Sequence, residues 1–145
     1  MSDLTELFGK PISVYTMSDA IADGTIVEID DLAKDLFTWP VYMTKASHED
    51  AVVWTETDSQ NTGAHWQSQT GRLWDVLWMT HAAIKAGGRN AARSDQLSVQ
   101  LCRVSREHDP ATQGDPTPEE ISLKAVITTR DDGSPALLIS LPEED

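Results

Sequence analysis

Residues 72–86 read RLWDVLWMTHAAIKA, and this stretch decides the fold. Its apolar side chains recur at intervals of three and four, which predicts an amphipathic helix with one broad apolar stripe. Thr70 can cap the start of the helix, and Gly87-Gly88 can end it. We expect the helix to form the centre of the core, with Trp74 and Trp78 inside. The predicted stripe consists of Leu73, Trp74, Leu77, Trp78, His81 and Ile84.

A second amphipathic helix is predicted at about residues 47–57. Ser47 followed by Asp50 three residues later resembles a capping box ahead of an apolar run. The polar residues 58–64 then indicate a loop. Shorter elements are predicted in the N-terminal third: a strand at 11–15, a helical turn at 18–22 that Ser18 caps and Gly24 ends, a strand at 25–30 and a short helix at 32–37.

The C-terminal part is predicted to form strands. Residues 96–104 alternate strictly between apolar and polar side chains, which is typical of a half-buried strand. Residues 121–129 and 136–141 are aliphatic or β-branched and flank Asp131-Asp132-Gly133, so they predict a hairpin. The three strands form an antiparallel meander on which the two helices pack.

The fold class is therefore α+β, with residues 1–145 as a single domain. A chain of this length can bury a sizeable core without disulfides. Residues 87–95 are small, polar and basic, and residues 107–118 contain prolines and no apolar run. We expect both segments to be mobile loops.

Negative charge is concentrated at the two ends of the chain. The net charge of −13 divides into −9 for residues 1–61, +3 for 62–105 and −7 for 106–145. A folded domain with this distribution has two acidic zones around a mildly basic segment. Arg89, Arg93, Arg103 and Arg106 form a sparse basic cluster. Direct binding of DNA or RNA is therefore disfavoured.

The sequence carries no signature of a known catalytic chemistry. Cys102 is the single cysteine, so a disulfide framework is excluded within a monomer. His48-Glu49-Asp50 are consecutive, and consecutive helical side chains diverge too far to share a metal. We predict no catalytic residues, no metal site and no cofactor. The chain also lacks a membrane-spanning run and a signal peptide, which favours a cytoplasmic protein.

Three segments carry a resemblance to a known family. They are ELFGKPISVYT at residues 6–16, AIADGTIVEI at 20–29 and GRLWDVLWM at 71–79. The chain resembles a family of small proteins of unassigned function from bacterial plasmids, integrated elements and phages. This resemblance implies a mobile-element setting, in which small acidic proteins that disarm restriction or CRISPR systems recur. It assigns no functional residues.

These observations lead to three hypotheses. The first is a non-enzymatic inhibitor of the anti-restriction or anti-CRISPR type, which imitates the spacing of DNA phosphates and occupies a basic surface on a host nucleic-acid-processing complex. The second is a small enzyme of unfamiliar type, with His81 and Asp75 near a Trp-lined pocket. The third is an accessory protein that self-associates, for example as a homodimer, through the edge of the C-terminal sheet. The acidic face of the first hypothesis consists of Asp19, Asp23, Glu28, Asp30, Asp31 and Asp35.

Overall fold

The computed structural model describes residues 16–29, 32–86 and 96–144. The predicted strand at 11–15 lies outside these ranges. The helices are α1 Met17–Asp23, α2 Lys45–Ala51, α3 Glu56–Thr62, α4 Gln69–Ala86 and α5 Pro110–Gln113. The strands are β1 Ile26–Ile29, β2 Val41–Thr44, β3 Gln96–Arg103, β4 Glu119–Thr129 and β5 Pro135–Ser140. The helix predicted at 32–37 is a 3-10 turn, Ala33–Asp35, and α5 is a single turn inside the predicted loop 107–118.

The described strands form one mixed sheet in the order β1-β2-β5-β4-β3. The predicted antiparallel meander is present, because β3 pairs with β4 and β4 pairs with β5 in antiparallel register. It is only part of the sheet. Strand β5 also pairs in parallel with β2, which pairs antiparallel with β1. The predicted three-stranded sheet therefore lacked two strands, and β1 and β3 are the edges among the strands that the structure describes.

Alternation along the strands separates a core face from an outer face. Ile29 pairs with Val41, and Val41 pairs with Leu137, so their side chains share one face, and all three are buried. Val99 pairs with Leu123 on that same face. Helices α2 and α4 cover it through Ala51, Val76 and Leu77. The predicted division of β3, with Leu97, Val99, Leu101 and Arg103 on one face, agrees with the burial pattern.

Strand β2 joins the N-terminal elements to the meander, and the sequence analysis did not predict it. Val41, Tyr42 and Met43 are all almost completely buried. A strand that is buried on both faces lacks the polar alternation that identifies a strand in a sequence. Its parallel neighbour β5 begins 91 residues after β2 ends, so no local turn indicates the pairing.

The helix predicted at 47–57 is two helices. Thr44, rather than Ser47, caps α2, because its hydroxyl oxygen accepts from the Ser47 N–H at 3.2 Å. Thr55 and Asp58 then form a capping box that begins α3, with Asp58 Oδ2 accepting from the Thr55 N–H at 2.8 Å. The prediction of a loop at 58–64 was wrong, because the capping box of Thr55 and Asp58 begins a new helix there.

Helix α4 begins three residues before the predicted start at Arg72. Ser68 Oγ accepts from the Gly71 N–H at 3.1 Å, so Ser68 rather than Thr70 occupies the capping position. The fully buried positions of α4 are Arg72, Val76, Leu77 and Thr80. The prediction that the tryptophans are core residues was wrong: Trp74 is 36% exposed and Trp78 is 51% exposed.

The guanidinium of Arg72 holds the helical layer together. Arg72 is 3% exposed. Its nitrogens donate to the carbonyl oxygens of Asp50, Val52 and Val104 at 3.2, 3.3 and 2.8 Å. Its Cζ also lies 4.8 Å from the centroid of the buried Trp54 ring. One side chain thus connects the end of α2, the start of α4 and the segment after β3.

A second polar contact ties α3 to the same segment. Asp58 Oδ2 accepts from Arg106 Nε at 2.9 Å. Burial raises the pKa of the Asp58 carboxyl, but the hydrogen bonds from Thr55 and the contact with Arg106 together outweigh burial and hold the pKa below its ordinary value of 3.8. Asp58 is therefore charged in the folded protein at neutral pH.

We expect Arg72→Met to lower the free energy of unfolding by about 3 kcal/mol or more, because three buried carbonyl oxygens lose their donor. For a chain of this size the melting temperature should fall by roughly 10 °C. Urea unfolding measures the first value and calorimetry the second. Lys85→Met, on the exposed end of the same helix, is the matched control and should change stability by about 0.5 kcal/mol at most. An Arg72 variant as stable as this control would contradict the role of Arg72 in holding the helical layer together.

We expect Asp58→Asn to cost about 1–2 kcal/mol of stability at pH 7. Because the folded pKa of Asp58 is lowered, its stabilisation is complete above the unfolded pKa near 3.8 and disappears as pH falls through the folded value. The difference between wild type and variant should therefore shrink below about pH 4. Urea unfolding across pH tests this, with the exposed Glu107→Gln as the control for loss of a carboxylate. A difference that stays constant with pH would contradict it.

Candidate binding surfaces

The turn between β4 and β5 is a tight hairpin that carries two adjacent carboxylates. Gly133 adopts a positive φ of 86°, as the Asp-Gly sequence predicted. The Ser134 N–H donates to Asp132 Oδ1 at 2.9 Å. The hydrogen bond from the Ser134 hydroxyl, together with this one from the N–H, lowers the pKa of the exposed Asp132 carboxyl. The turn therefore presents fixed negative charge.

Asp131 connects this hairpin to the other end of the chain. Its Oδ1 accepts from the Met17 N–H at 3.1 Å, and its Oδ2 accepts from the Ser18 hydroxyl. Ser18 is therefore a side-chain donor in the first turn of α1. The N-cap is Thr16, which forms a capping box with Asp19. Gly24 ends α1 in the left-handed conformation, as predicted.

Helix α1, strand β1 and the hairpin surround a shallow groove of about 310 Å³, here called the hairpin groove. Glu28 lies on the outer face of β1, opposite Tyr42 of β2, and both side chains line the groove. Arg130 contributes a cation to it. The remaining lining residues are Met17, Ser18, Ile21, Asp131 and Asp132.

The predicted acidic residues fall into three groups. Asp19 and Asp23 are exposed on α1, and Glu28 is exposed on the adjacent strand. Asp23 Oδ1 also accepts from the Thr25 N–H at 3.0 Å, which holds the turn into β1. Asp35 is exposed on the 3-10 turn, and no described contact joins it to the hairpin groove. Asp30 and Asp31 lie outside the described residues.

A second surface consists of aromatic side chains on α4. The rings of Trp74 and Trp78 stack with centroids 6.4 Å apart, and Trp78 stacks on His81 at 6.1 Å. Phe37 meets His81 edge-on at 5.8 Å. Stacked aromatic rings that remain exposed are typical of interaction surfaces.

A cleft of about 360 Å³ separates this aromatic row from the edge strand β3. We call it the Trp78 cleft. Helix α4 supplies Asp75, Trp78 and Met79, strand β3 supplies residues 100–102, and β4 supplies Glu120. Burial raises the pKa of Asp75 above its ordinary value of 3.8, and the opposing effect of Arg72 is smaller. The cleft thus combines an apolar wall with two carboxyl groups.

Asp75 and His81 do not share this cleft. Asp75 lines it, whereas His81 lies between Trp78 and Phe37 and is not among its lining residues. The consecutive His48, Glu49 and Asp50 also separate, since Asp50 pairs with Arg103 at 2.9 Å. No group of three or more His, Cys, Asp or Glu side chains in the described part of the chain is arranged to hold a metal ion. Of the two residues named in the enzyme hypothesis, Asp75 therefore lines the cleft and His81 contacts it only through Trp78.

Both surfaces include residues that the sequence analysis did not select. Asp131 and Asp132 were assigned only to a turn, although their acidity was visible in the sequence. Their role depends on a contact across 114 residues, which no local pattern encodes. The Trp78 cleft depends on which side of α4 faces the sheet. The feature of the sequence that indicates this cleft is the pair Trp74 and Trp78 with Asp75 between them.

The fold and its surfaces define an α+β protein with a mixed sheet, an acidic groove at one edge and an aromatic cleft at the other. No helix in the described ranges has the length and apolar character needed to cross a membrane. The chain belongs to the DUF6573 family of unknown function, whose family model matches residues 7–145. No curated protein and no solved structure matches the chain.

We expect Trp78→Ala to cost about 1 kcal/mol of stability or less, because the ring is half exposed and loses mainly its stacking on Trp74. Trp54→Ala should cost about 3–5 kcal/mol, since that ring is 7% exposed and its Nε1–H donates to Ser59. Urea unfolding of both variants makes the comparison. Equal losses would mean that Trp78 belongs to the core.

Proposed function

We propose that this protein is a non-catalytic acidic inhibitor that occupies the basic nucleic-acid-binding surface of a host complex. The target class is a restriction, CRISPR or other nucleic-acid-processing complex, in keeping with the mobile-element setting that the sequence resemblance implies. Membership of a family of unknown function leaves the activity open. The proposal therefore rests on the acidic surface of this chain.

The contact between Asp131 and α1 is the observation that carries the proposal. It draws the C-terminal acidic zone against the N-terminal one, so that Glu28, Asp131 and Asp132 line the same groove. Asp19 and Asp23 lie on the helix that borders this groove. Carboxylates from α1, β1 and the hairpin thus form one acidic surface. A Lys/Arg channel that binds DNA phosphates is attracted to such a surface.

Hydrogen bonds hold several of these carboxylates in place. Asp19 accepts from the Thr16 N–H at 3.1 Å, Asp23 accepts from Thr25, and Asp132 accepts from Ser134. A fixed array loses less conformational entropy on binding than mobile side chains do. The same bonds also serve the local fold, so substitutions that test binding should avoid these three residues.

Glu28 is a suitable test position, because it lines the hairpin groove, is exposed and does not cap a helix through a side-chain hydrogen bond. We expect the wild-type chain to compete with a 30-base-pair duplex for a purified restriction or CRISPR effector complex. Binding should weaken steeply as the salt concentration rises, because the ion pairs that form on binding release counterions. Glu28→Lys should weaken binding about tenfold.

The matched control is Glu107→Lys, which changes the net charge equally at an exposed position away from the hairpin groove. This control should retain most of the affinity. Equal loss in both variants would show that total charge, rather than this surface, drives binding. Binding that duplex DNA does not displace would contradict the proposed mode of inhibition.

A further inference from the structure

Strand β3 is an edge strand at the side of the sheet opposite to the hairpin groove. It pairs with β4 along its whole length, from Gln96 opposite Val126 to Arg103 opposite Glu119. Within the described ranges it has no second strand neighbour. The outer N–H and C=O groups of such a strand can pair with an extended segment of another chain.

Helix α4 provides an apolar wall beside this edge. Trp78 is 51% exposed and Met79 is 37% exposed, and both line the Trp78 cleft next to Leu101. Trp74 and His81 both stack on Trp78 and keep its ring in one orientation. The part of the indole that remains exposed can contact an apolar side chain or the methylene chain of a Lys or Arg.

The charged residues of the cleft indicate the charge of its ligand. Asp75 and Glu120 are its charged lining residues, and both are acidic. The Asp75 carboxyl has no hydrogen bond or ion pair among the described residues, although burial already raises its pKa. A cation placed beside it would stabilise the charged form. A segment that carries Lys or Arg therefore complements the cleft, and an acidic segment does not.

We propose that the Trp78 cleft binds an extended, Lys- or Arg-bearing segment of a partner protein, which pairs with the outer edge of β3 and places a cation beside Asp75, with the methylene chain of that Lys or Arg against the exposed part of Trp78. Side chains of an extended segment alternate between two sides. One set therefore faces Trp78 and Asp75, while the other lies near Cys102 and Glu120. The hairpin groove lies at the β1 edge, so this site is independent of the surface used for the proposed inhibition.

The probe is a fluorescein-labelled peptide of nine residues in which Lys alternates with Val and Thr. We expect saturable binding by fluorescence anisotropy. A peptide with Gln in place of every Lys should bind more weakly, and so should one with two central prolines, which cannot form the strand hydrogen bonds. Cys102 is the chain's single cysteine and lines the cleft, so the bound Lys peptide should also slow its alkylation by iodoacetamide.

Trp78→Ala should weaken binding of the Lys peptide by about tenfold, and Asp75→Asn should weaken it several-fold. The matched controls are Trp66→Ala, which removes a more exposed tryptophan outside the cleft, and Glu107→Gln. Both controls should bind the peptide as the wild type does. Glu28→Lys should also leave peptide binding unchanged, which separates this site from the hairpin groove.

Three results would overturn the proposal. Unchanged affinity in Trp78→Ala would remove the cleft from the binding site. Equal affinity for the proline-containing peptide would show that nonspecific charge attraction, rather than strand pairing, holds the peptide. If Cys102 instead becomes protected as protein concentration rises, together with a dimeric mass in light scattering, the occupant of the cleft is a second copy of this chain.

Discussion

The buried guanidinium of Arg72 is the interaction on which the helical layer depends. The carbonyl oxygens of Asp50, Val52 and Val104 lie where helices or strands end, so they lack partners in regular structure. Arg72 supplies donors to all three and also contacts the face of Trp54. Because Arg72 is in the first turn of α4, its inward direction sets the rotation of that helix. The rotation places Val76 and Thr80 against the sheet and leaves Trp74 and Trp78 at the surface.

Elements specified by neighbouring residues were predictable from the sequence. Strand β3 was recognisable from its alternation, and the hairpin from Asp132-Gly133 between two aliphatic runs. The apolar arc of α4 was recognisable too, but it is too broad for periodicity to decide which part faces the sheet. An arginine and a threonine take central positions on the buried side, because their polar groups find partners there. Thr80 donates to the Val76 carbonyl oxygen at 2.7 Å.

Contacts between distant segments were not predictable in the same way. Strand β2 is recognisable only with β1 and β5 on its two sides. The acidic residues near Asp19 and Glu28 were predicted because they are neighbours in the chain. Asp131 joins them only because β5 extends the sheet from β2 and brings the hairpin beside α1. Local chemistry therefore identified part of the acidic surface, and the sheet topology completed it.

The contacts that three arginines form within the helical layer leave the surface more acidic. Arg72 is buried, Arg103 pairs with Asp50 and Glu119, and Arg106 pairs with Asp58. These three described arginines thus form a polar framework beneath the helices. Positive charge inside the helical layer leaves many of the remaining carboxylates facing solvent. The two edges of the sheet then differ in kind: the β1 edge offers dense exposed charge, whereas the β3 edge offers backbone hydrogen bonds, an aromatic wall and two carboxyl groups. A long-range attraction and a short-range, shape-dependent contact can therefore act at separate places on one small domain.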